Sequence, residues 1–212
     1  MSFTNKTMLL GTLCLSALIG MANALVGRQG RSRFQDSDFV FNLTGRSPVS
    51  SGLGGTIRPL GKEELSSLSG EGVAFGYFNL DGCAINLPHV HPRATELLYV
   101  IRGNNLATGF VEENGGRTIQ NDISEGMVTF FPQGLIHYQQ NLDCEPAEYI
   151  SALNSDDPGV LTISTRTLAL PDEALQAMLN LNAGQLATLR EGIPTGPAQG
   201  RIECLRRCGL GD

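Results

Sequence analysis

Three histidines and one glutamate are spaced so that they could bind one metal ion. His89 and His91 flank a single residue, and side chains at positions i and i+2 of a β-strand point to the same face. Pro92 interrupts that strand, and this break allows Glu96 to face the same interior. His137, the third histidine of the chain, follows a Pro-Gln-Gly turn.

Three imidazoles and one carboxylate form a mixed nitrogen and oxygen ligand set. No cysteine is close to them in sequence, so this pattern differs from a structural zinc site of the cysteine type. A divalent ion that prefers octahedral geometry would keep two positions open for water, dioxygen or substrate. The ligand set favours manganese or iron and leaves copper, nickel and zinc as less favoured alternatives.

Short apolar runs separated by turn residues must position these ligands. Such spacing is typical of an all-β sandwich or barrel. The predicted strands cover 73–80, 84–91, 97–101, 105–111, 118–123, 127–131, 136–141 and 149–153. The pattern then becomes helical, with a start at Pro171-Asp172-Glu173 and candidate helices over 174–179, 183–190 and 201–208.

The N-terminus has the pattern of a secretory signal peptide. Lys6 precedes an apolar stretch, and Ala22-Asn23-Ala24 matches the small-residue cleavage pattern. We therefore divide the chain into a signal peptide at 1–24, an N-terminal arm at 25–60, a barrel at 61–168 and a helical extension at 169–212. The arm contains one strand-like run at 39–41. Cleavage would leave a secreted protein, extracellular or in a cell wall, with a glycosylation sequon at Asn42.

Charge and hydropathy exclude two classes of partner. The chain has 15 basic and 21 acidic residues, a net charge of −6, which argues against nucleic acid as a partner. Away from the N-terminus no apolar run is long enough to span a membrane, so no membrane partner is expected after signal cleavage.

The four cysteines beyond the signal peptide should form disulfides in an oxidising compartment. If Val90 pairs with His137 in an antiparallel ladder, Cys83 faces Cys144, and Cys204 is left with Cys208. A disulfide between positions i and i+4 of an intact helix is poorly placed. The alternative pairing therefore connects both helix cysteines to the barrel.

Two segments resemble the cupin family, and germins in particular. The segment from Pro88 to Glu96, followed by Gly103, resembles the first cupin motif. Gly126, the Pro-Gln-Gly turn, His137 and Asn141 resemble the second. The motif glycine Gly82 stands one residue further from His89 than in the usual pattern. The cysteines near 144 and 204–208 are more similar to spherulin-like proteins than to plant germins.

The resemblance implies a β-jelly-roll barrel with C-terminal helices. It implies Mn²⁺ bound by His89, His91, Glu96 and His137. It also implies a homo-oligomer, a trimer or a hexamer, whose C-terminal helices clasp neighbouring subunits.

Germin-type enzymes act on oxalate or superoxide, so the resemblance implies an oxidoreductase whose substrate is a small anion or a dioxygen species. Asn86 matches one polar residue of the oxalate oxidases and is the candidate catalytic residue. A second asparagine of those enzymes aligns with Gly76, with Asn79 nearby in a different register. This difference favours superoxide over oxalate. One alternative is a wall or storage glycoprotein in which the metal stabilises the fold, and another is a different small-molecule cupin enzyme.

Overall fold

The computed structural model describes residues 33–211, and two antiparallel sheets form its framework. The predicted signal peptide lies outside the described residues. The strands are β1 Ser50–Gly52, β2 Gly55–Leu60, β3 Ala74–Leu80, β4 Ala84–Val90, β5 Glu96–Arg102, β6 Leu106–Val111, β7 Thr118–Ile123, β8 Val128–Phe131, β9 Ile136–Asn141, β10 Ala147–Leu153, β11 Leu161–Thr162 and β12 Ala198–Gln199. The α-helices are α1 Ile163–Thr167, α2 Asp172–Leu179, α3 Ala183–Gly192 and α4 Ile202–Cys208.

The two sheets face each other across one core. The first has the strand order β1-β2-β3-β10-β5-β8, and the second has the order β11-β4-β9-β6-β7, with β12 also paired to β4. Alternate residues of each strand point inward, as in β5, where Glu96, Leu98 and Val100 are buried. Phe78 and Tyr149 stack in the core with ring centroids 4.6 Å apart. The prediction of an all-β barrel with C-terminal helices is confirmed.

The eight predicted strands and three predicted helices are all present, with small differences at their ends. α4 ends at Gly209, whose φ of +65° is the left-handed conformation that glycine adopts easily. α1 was not predicted. Within residues 33–211, no helix is long and apolar enough to cross a membrane.

The segment before the predicted barrel differs from expectation. The run at 39–41 was predicted to be strand-like, but the structure has a 3-10 helix over Asp36–Phe39, where acidic residues occupy the first turn. β1 and β2 lie within the segment that was predicted as an arm. β2 pairs with β3 along its whole length and so belongs to the first sheet.

The favoured disulfide pairing was wrong, and the alternative is correct. Cys83 bonds to Cys204, and Cys144 bonds to Cys208, so both helix cysteines connect to the barrel. The register explains the error, because His137 pairs with His89 instead of Val90.

Candidate metal centre

All four predicted metal ligands converge in the barrel interior. His89 lies on β4, Glu96 begins β5, and His137 lies on β9, while His91 directly follows β4. One ligand atom from each of the four lies within 4.8 Å of the others. The chain therefore forms a His3Glu site that could hold a metal ion.

An irregularity in β4 lets the site form. The pairing of β4 with β9 shifts between Asn86 and His89, a β-bulge that contains Pro88. Proline has no N–H for the ladder, and such irregularities change which face a side chain reaches. Asn86 and His89 are an odd number of positions apart, and both are buried. Without the shift they would point to opposite faces of the sheet.

Backbone carbonyls fix all three imidazole rings. Nδ1 of His89 lies 2.7 Å from the Leu87 carbonyl oxygen, and Nδ1 of His137 lies 2.9 Å from that of Leu135. Nδ1 of His91 lies 2.6 Å from the carbonyl oxygen of Gly159. A carbonyl only accepts hydrogen bonds, so each Nδ1 is the donor. In a neutral ring this leaves the Nε2 lone pair available for a metal.

Glu96 is the acidic centre of the cluster. Its Oε2 lies 3.0 Å from His91 Nε2 and 3.2 Å from His137 Nε2. Its other oxygen accepts a hydrogen bond from the Ser151 hydroxyl at 2.5 Å. These distances are compatible with one ion bound to all four residues, and a nitrogen and carboxylate donor set suits a divalent transition metal.

Burial and the neighbouring charges set the protonation of the cluster. Burial, together with the nearby His137, lowers the pKa of His89 to about 3, so its ring stays neutral. Burial alone would raise the pKa of Glu96, but the imidazoles of His137 and His91, which donate from Nε2 to the carboxylate when they carry both protons, outweigh it and lower that pKa. Burial alone would lower the pKa of His91, yet the bond to Glu96 raises it. The cluster thus keeps a carboxylate anion beside imidazole ligands.

The site opens into a cavity of about 580 Å³. His91 is the most accessible ligand, with 14% of its side chain exposed, whereas Glu96 and His137 are 2% exposed. Asn86 lines the same cavity. Its Nδ2 donates to Gln139 Oε1 at 2.7 Å. Gly76 also lines the cavity, whereas Asn79 does not.

Two buried polar residues of this region, Gln139 and Ser151, were not predicted. Gln139 also accepts a hydrogen bond from the Tyr149 hydroxyl at 3.3 Å, and Ser151 is the donor to Glu96. Both point inward, since the residues two positions before and after them on the same strand are also buried. A polar residue at an inward position was the sequence signal that could have identified them.

Comparison with known proteins places this site in a family. The family model described as Cupin matches residues 41–186. The chain belongs to the cupin family. Spherulin-1B of Physarum polycephalum is 36% identical over 178 residues, covering 83% of this chain and 71% of the relative. Germin-like protein subfamily 2 member 4 of Arabidopsis thaliana is 33% identical over 165 residues, covering 75% of this cupin and 74% of the relative.

Solved structures have the same fold. A recombinant oxalate oxidase in complex with glycolate superposes with a TM-score of 0.68 at 25% identity, covering 75% of this cupin and 82% of that chain. An oxalate decarboxylase of Bacillus subtilis superposes with a TM-score of 0.67 at 19% identity, covering 76% of this cupin and 41% of that chain. The structural resemblance to the decarboxylase shows the fold alone.

Proposed function

We propose that this cupin is a secreted manganese-dependent oxidoreductase that acts on superoxide or on a small anion such as oxalate. The observation that carries the proposal is the set of three carbonyl-oriented imidazoles and one carboxylate at a cavity. His89, His91, Glu96 and His137 would hold the ion. A bound manganese ion supplies an open coordination position and a change of oxidation state.

Two positions of β3 favour superoxide as the substrate. Gly76 carries no side chain there, and a Cβ at this position would lie 2.5 Å from the ring of Phe78. Asn79 lies between the buried residues Phe78 and Leu80, so it is on the opposite face of β3 from them. Of the two amides expected in an oxalate oxidase, only Asn86 lines the cavity. Superoxide needs fewer contacts than oxalate.

Asn86 is the proposed catalytic residue. Its amide nitrogen has two N–H groups, and one of them donates to Gln139. The Asn86 side chain also forms a hydrogen bond with the Tyr149 hydroxyl, and an anion in the cavity would take the place of that hydroxyl. Because the bond to Gln139 restrains the amide, the second N–H is oriented before an anion arrives, which favours binding.

Metal content and activity, measured on the same preparation, test the proposal. We expect about one manganese ion per chain and a rate of superoxide dismutation above that of free Mn²⁺. The rate of peroxide formation from oxalate should be lower than the rate of superoxide dismutation. His91→Ala should lose the ion and the activity while keeping the β-sheet circular dichroism. Arg117→Ala, a change at an exposed residue on another loop, is the matched control. Full manganese content in His91→Ala would contradict the ligand assignment. A wild-type protein that binds manganese but has neither activity would contradict the proposal of an enzyme.

A structural role of the metal is the second candidate. The ligands come from both sheets, since β5 belongs to the first sheet while β4 and β9 belong to the second. An ion bound to all four residues would cross-link the sheets and stabilise the folded chain. Loss of the fold or of assembly on metal removal, in a protein without activity, would favour this role over the enzyme.

Two features support the proposal of secretion. The four cysteines of the described chain form two disulfides, which persist in oxidising compartments. The sequon residue Asn42 is exposed, and Thr44 donates a hydrogen bond to its side chain. We propose that Asn42 is glycosylated in the secreted protein.

A further inference from the structure

The two disulfides bring four sulfur atoms into one cluster. Cys83 is bonded to Cys204, and Cys144 is bonded to Cys208. The Sγ atoms of Cys83 and Cys208, which are not bonded to each other, are 3.6 Å apart. Those of Cys83, Cys204 and Cys208 all lie within 4.8 Å of one another, and Cys144, bonded to Cys208, lies outside that group. We call these four residues the cysteine cluster.

We propose that the reduced cysteine cluster is a tetrahedral zinc site, separate from the His3Glu site. In a Zn²⁺ site with four thiolates, zinc–sulfur bonds of about 2.3 Å place the sulfurs about 3.8 Å apart. The unbonded pair, Cys83 and Cys208, is already at nearly that separation. Each bonded pair must separate by less than 2 Å once its disulfide is reduced, roughly the difference between a disulfide bond and that spacing. Cys144, which is outside the group of three close sulfurs, must in addition move toward the other cysteines.

Contacts other than the disulfides hold the cluster together. Leu205 of α4 is buried, and the side chain of Leu210 packs against Gly82. Arg207 Nη2 donates to the Leu142 carbonyl oxygen. The backbone N–H of Cys83 donates to the Asp143 carbonyl oxygen at 2.9 Å. The helix cysteines therefore stay beside the barrel cysteines after reduction.

A cation beside the sulfurs favours their thiolate form. Arg207 Nη2 lies 3.3 Å from Cys204 Sγ. A neighbouring guanidinium stabilises a thiolate, and a four-thiolate zinc site carries excess negative charge that such a cation offsets. The cluster is also reachable, because Cys204 and Cys208 are only partly buried.

The chemistry needs a thiol reductant. Each disulfide accepts two electrons and two protons from two reductant thiols, which become one disulfide. The four cysteine thiols then release four protons when they bind one Zn²⁺. In oxidising surroundings the disulfides would thus attach α4 to the barrel. In reducing surroundings a zinc ion would do so.

Cobalt spectroscopy on the full chain tests the proposal, with Cys14→Ser so that the cluster holds the only thiols. We reduce the protein, remove the reductant without oxygen and add Co²⁺. We expect a sulfur-to-cobalt charge-transfer band that saturates at one Co²⁺ per cluster and disappears when one equivalent of Zn²⁺ is added. His91→Ala should keep this band, because the His3Glu site contains no sulfur.

The controls separate metal binding from unfolding. Oxidised protein should show no sulfur band, and Cys204→Ser combined with Cys208→Ser should lose it after reduction. β-sheet circular dichroism follows the barrel throughout. A reduced chain that keeps its sheet signal but shows no band overturns the proposal. So does a reduced chain that loses the sheet signal, since the barrel is what assembles the cluster.

Discussion

At the scale of single residues, the candidate site depends on the carbonyl oxygens that bind the Nδ1 atom of each imidazole ring. Three peptide carbonyls, those of Leu87, Leu135 and Gly159, accept from the Nδ1 atoms. Two of them lie two residues before the histidine that they orient, so the local chain fixes the ring. The third comes from a distant loop and fixes His91, the most accessible ligand. Each ring therefore presents Nε2 before any ion binds.

Asn86→Ala should keep the metal and lose activity. Asn86 is not in the His3Glu group, so its removal leaves all four ligand atoms in place. Loss of a donor aimed at a developing anion typically costs about 10²-fold or more in rate, and we expect a decrease of at least roughly tenfold here. Metal content by elemental analysis and the dismutation rate check this prediction.

Gln120→Ala is the control for that experiment, because Gln120 is an exposed amide on β7. It should leave both metal content and rate unchanged. If Asn86→Ala has the wild-type rate at full metal content, Asn86 has no part in the reaction.

The metal-free protein should lose stability as the pH falls below about 6.5. The pKa of His89 is lowered from 6.5 to about 3 by burial, so between these values the unfolded chain binds a proton that the folded chain does not. The free energy of unfolding therefore rises with pH in this range. The lowered pKa of Glu96 acts in the same direction below its usual value. The raised pKa of His91 stabilises the folded chain at low pH and opposes them.

Urea unfolding of the chelated protein at pH 7 and pH 5 measures this effect. For His89 alone we expect about 2 kcal/mol less stability at the lower pH. His89→Leu should flatten the dependence, because no buried imidazole remains at that position. Because His91 opposes His89 in this range, the comparison of the two proteins is the test, and the same pH dependence in wild-type and His89→Leu protein would contradict the prediction.

At the scale of strands and helices, the sequence predicts types well and registers poorly. Alternating apolar runs identify β3 to β10, and acidic and glycine signals identify α2 to α4. The same patterns place His89, His91 and His137 on two predicted strands and Glu96 directly before a third, whereas in the structure Glu96 begins β5 and His91 follows β4. β1 and β2 escape detection because β1 has three mostly exposed small residues, and β2 contains a proline and lacks the alternation of buried and exposed residues. Their strand form depends on the pairing of β1 with β2 and of β2 with β3, which local patterns do not contain.

The register of β4 and β9 accounts for the failed disulfide prediction, because His137 pairs with His89 and a bulge shifts the ladder further toward Cys83. The ladder of β4 and β9 pairs Asn86 with Gln139 but His89 with His137, so no constant register runs through the strands. Cys83 lies beyond the end of β4 with a φ of +64°, and its backbone contacts Asp143. Its side chain reaches α4, which extrapolation of a straight ladder could not predict.

At the scale of the whole molecule, one outer face of the barrel is apolar. Leu97 and Tyr99 of β5 lie beside Phe130 and Val128 of β8, their register partners. Their exposed fractions range from 42% to 55%. Inward residues of the same strands fill the core, so these side chains point out. Contiguous apolar surface of this kind marks interaction sites, and β8 is also an edge strand with unpaired backbone groups.

We expect this face to be buried between copies of the chain in a homo-oligomer, a trimer or a hexamer. Phe130→Asp places a charge at the centre of the face, and burying an unpaired carboxylate is costly, so the assembly should dissociate. Asn121→Asp is the matched control, because it adds the same charge at an exposed position of β7 in the other sheet. Light scattering after gel filtration gives the masses. A wild-type mass near the 22.7 kDa of one chain, or an unchanged assembly in Phe130→Asp, would contradict the prediction.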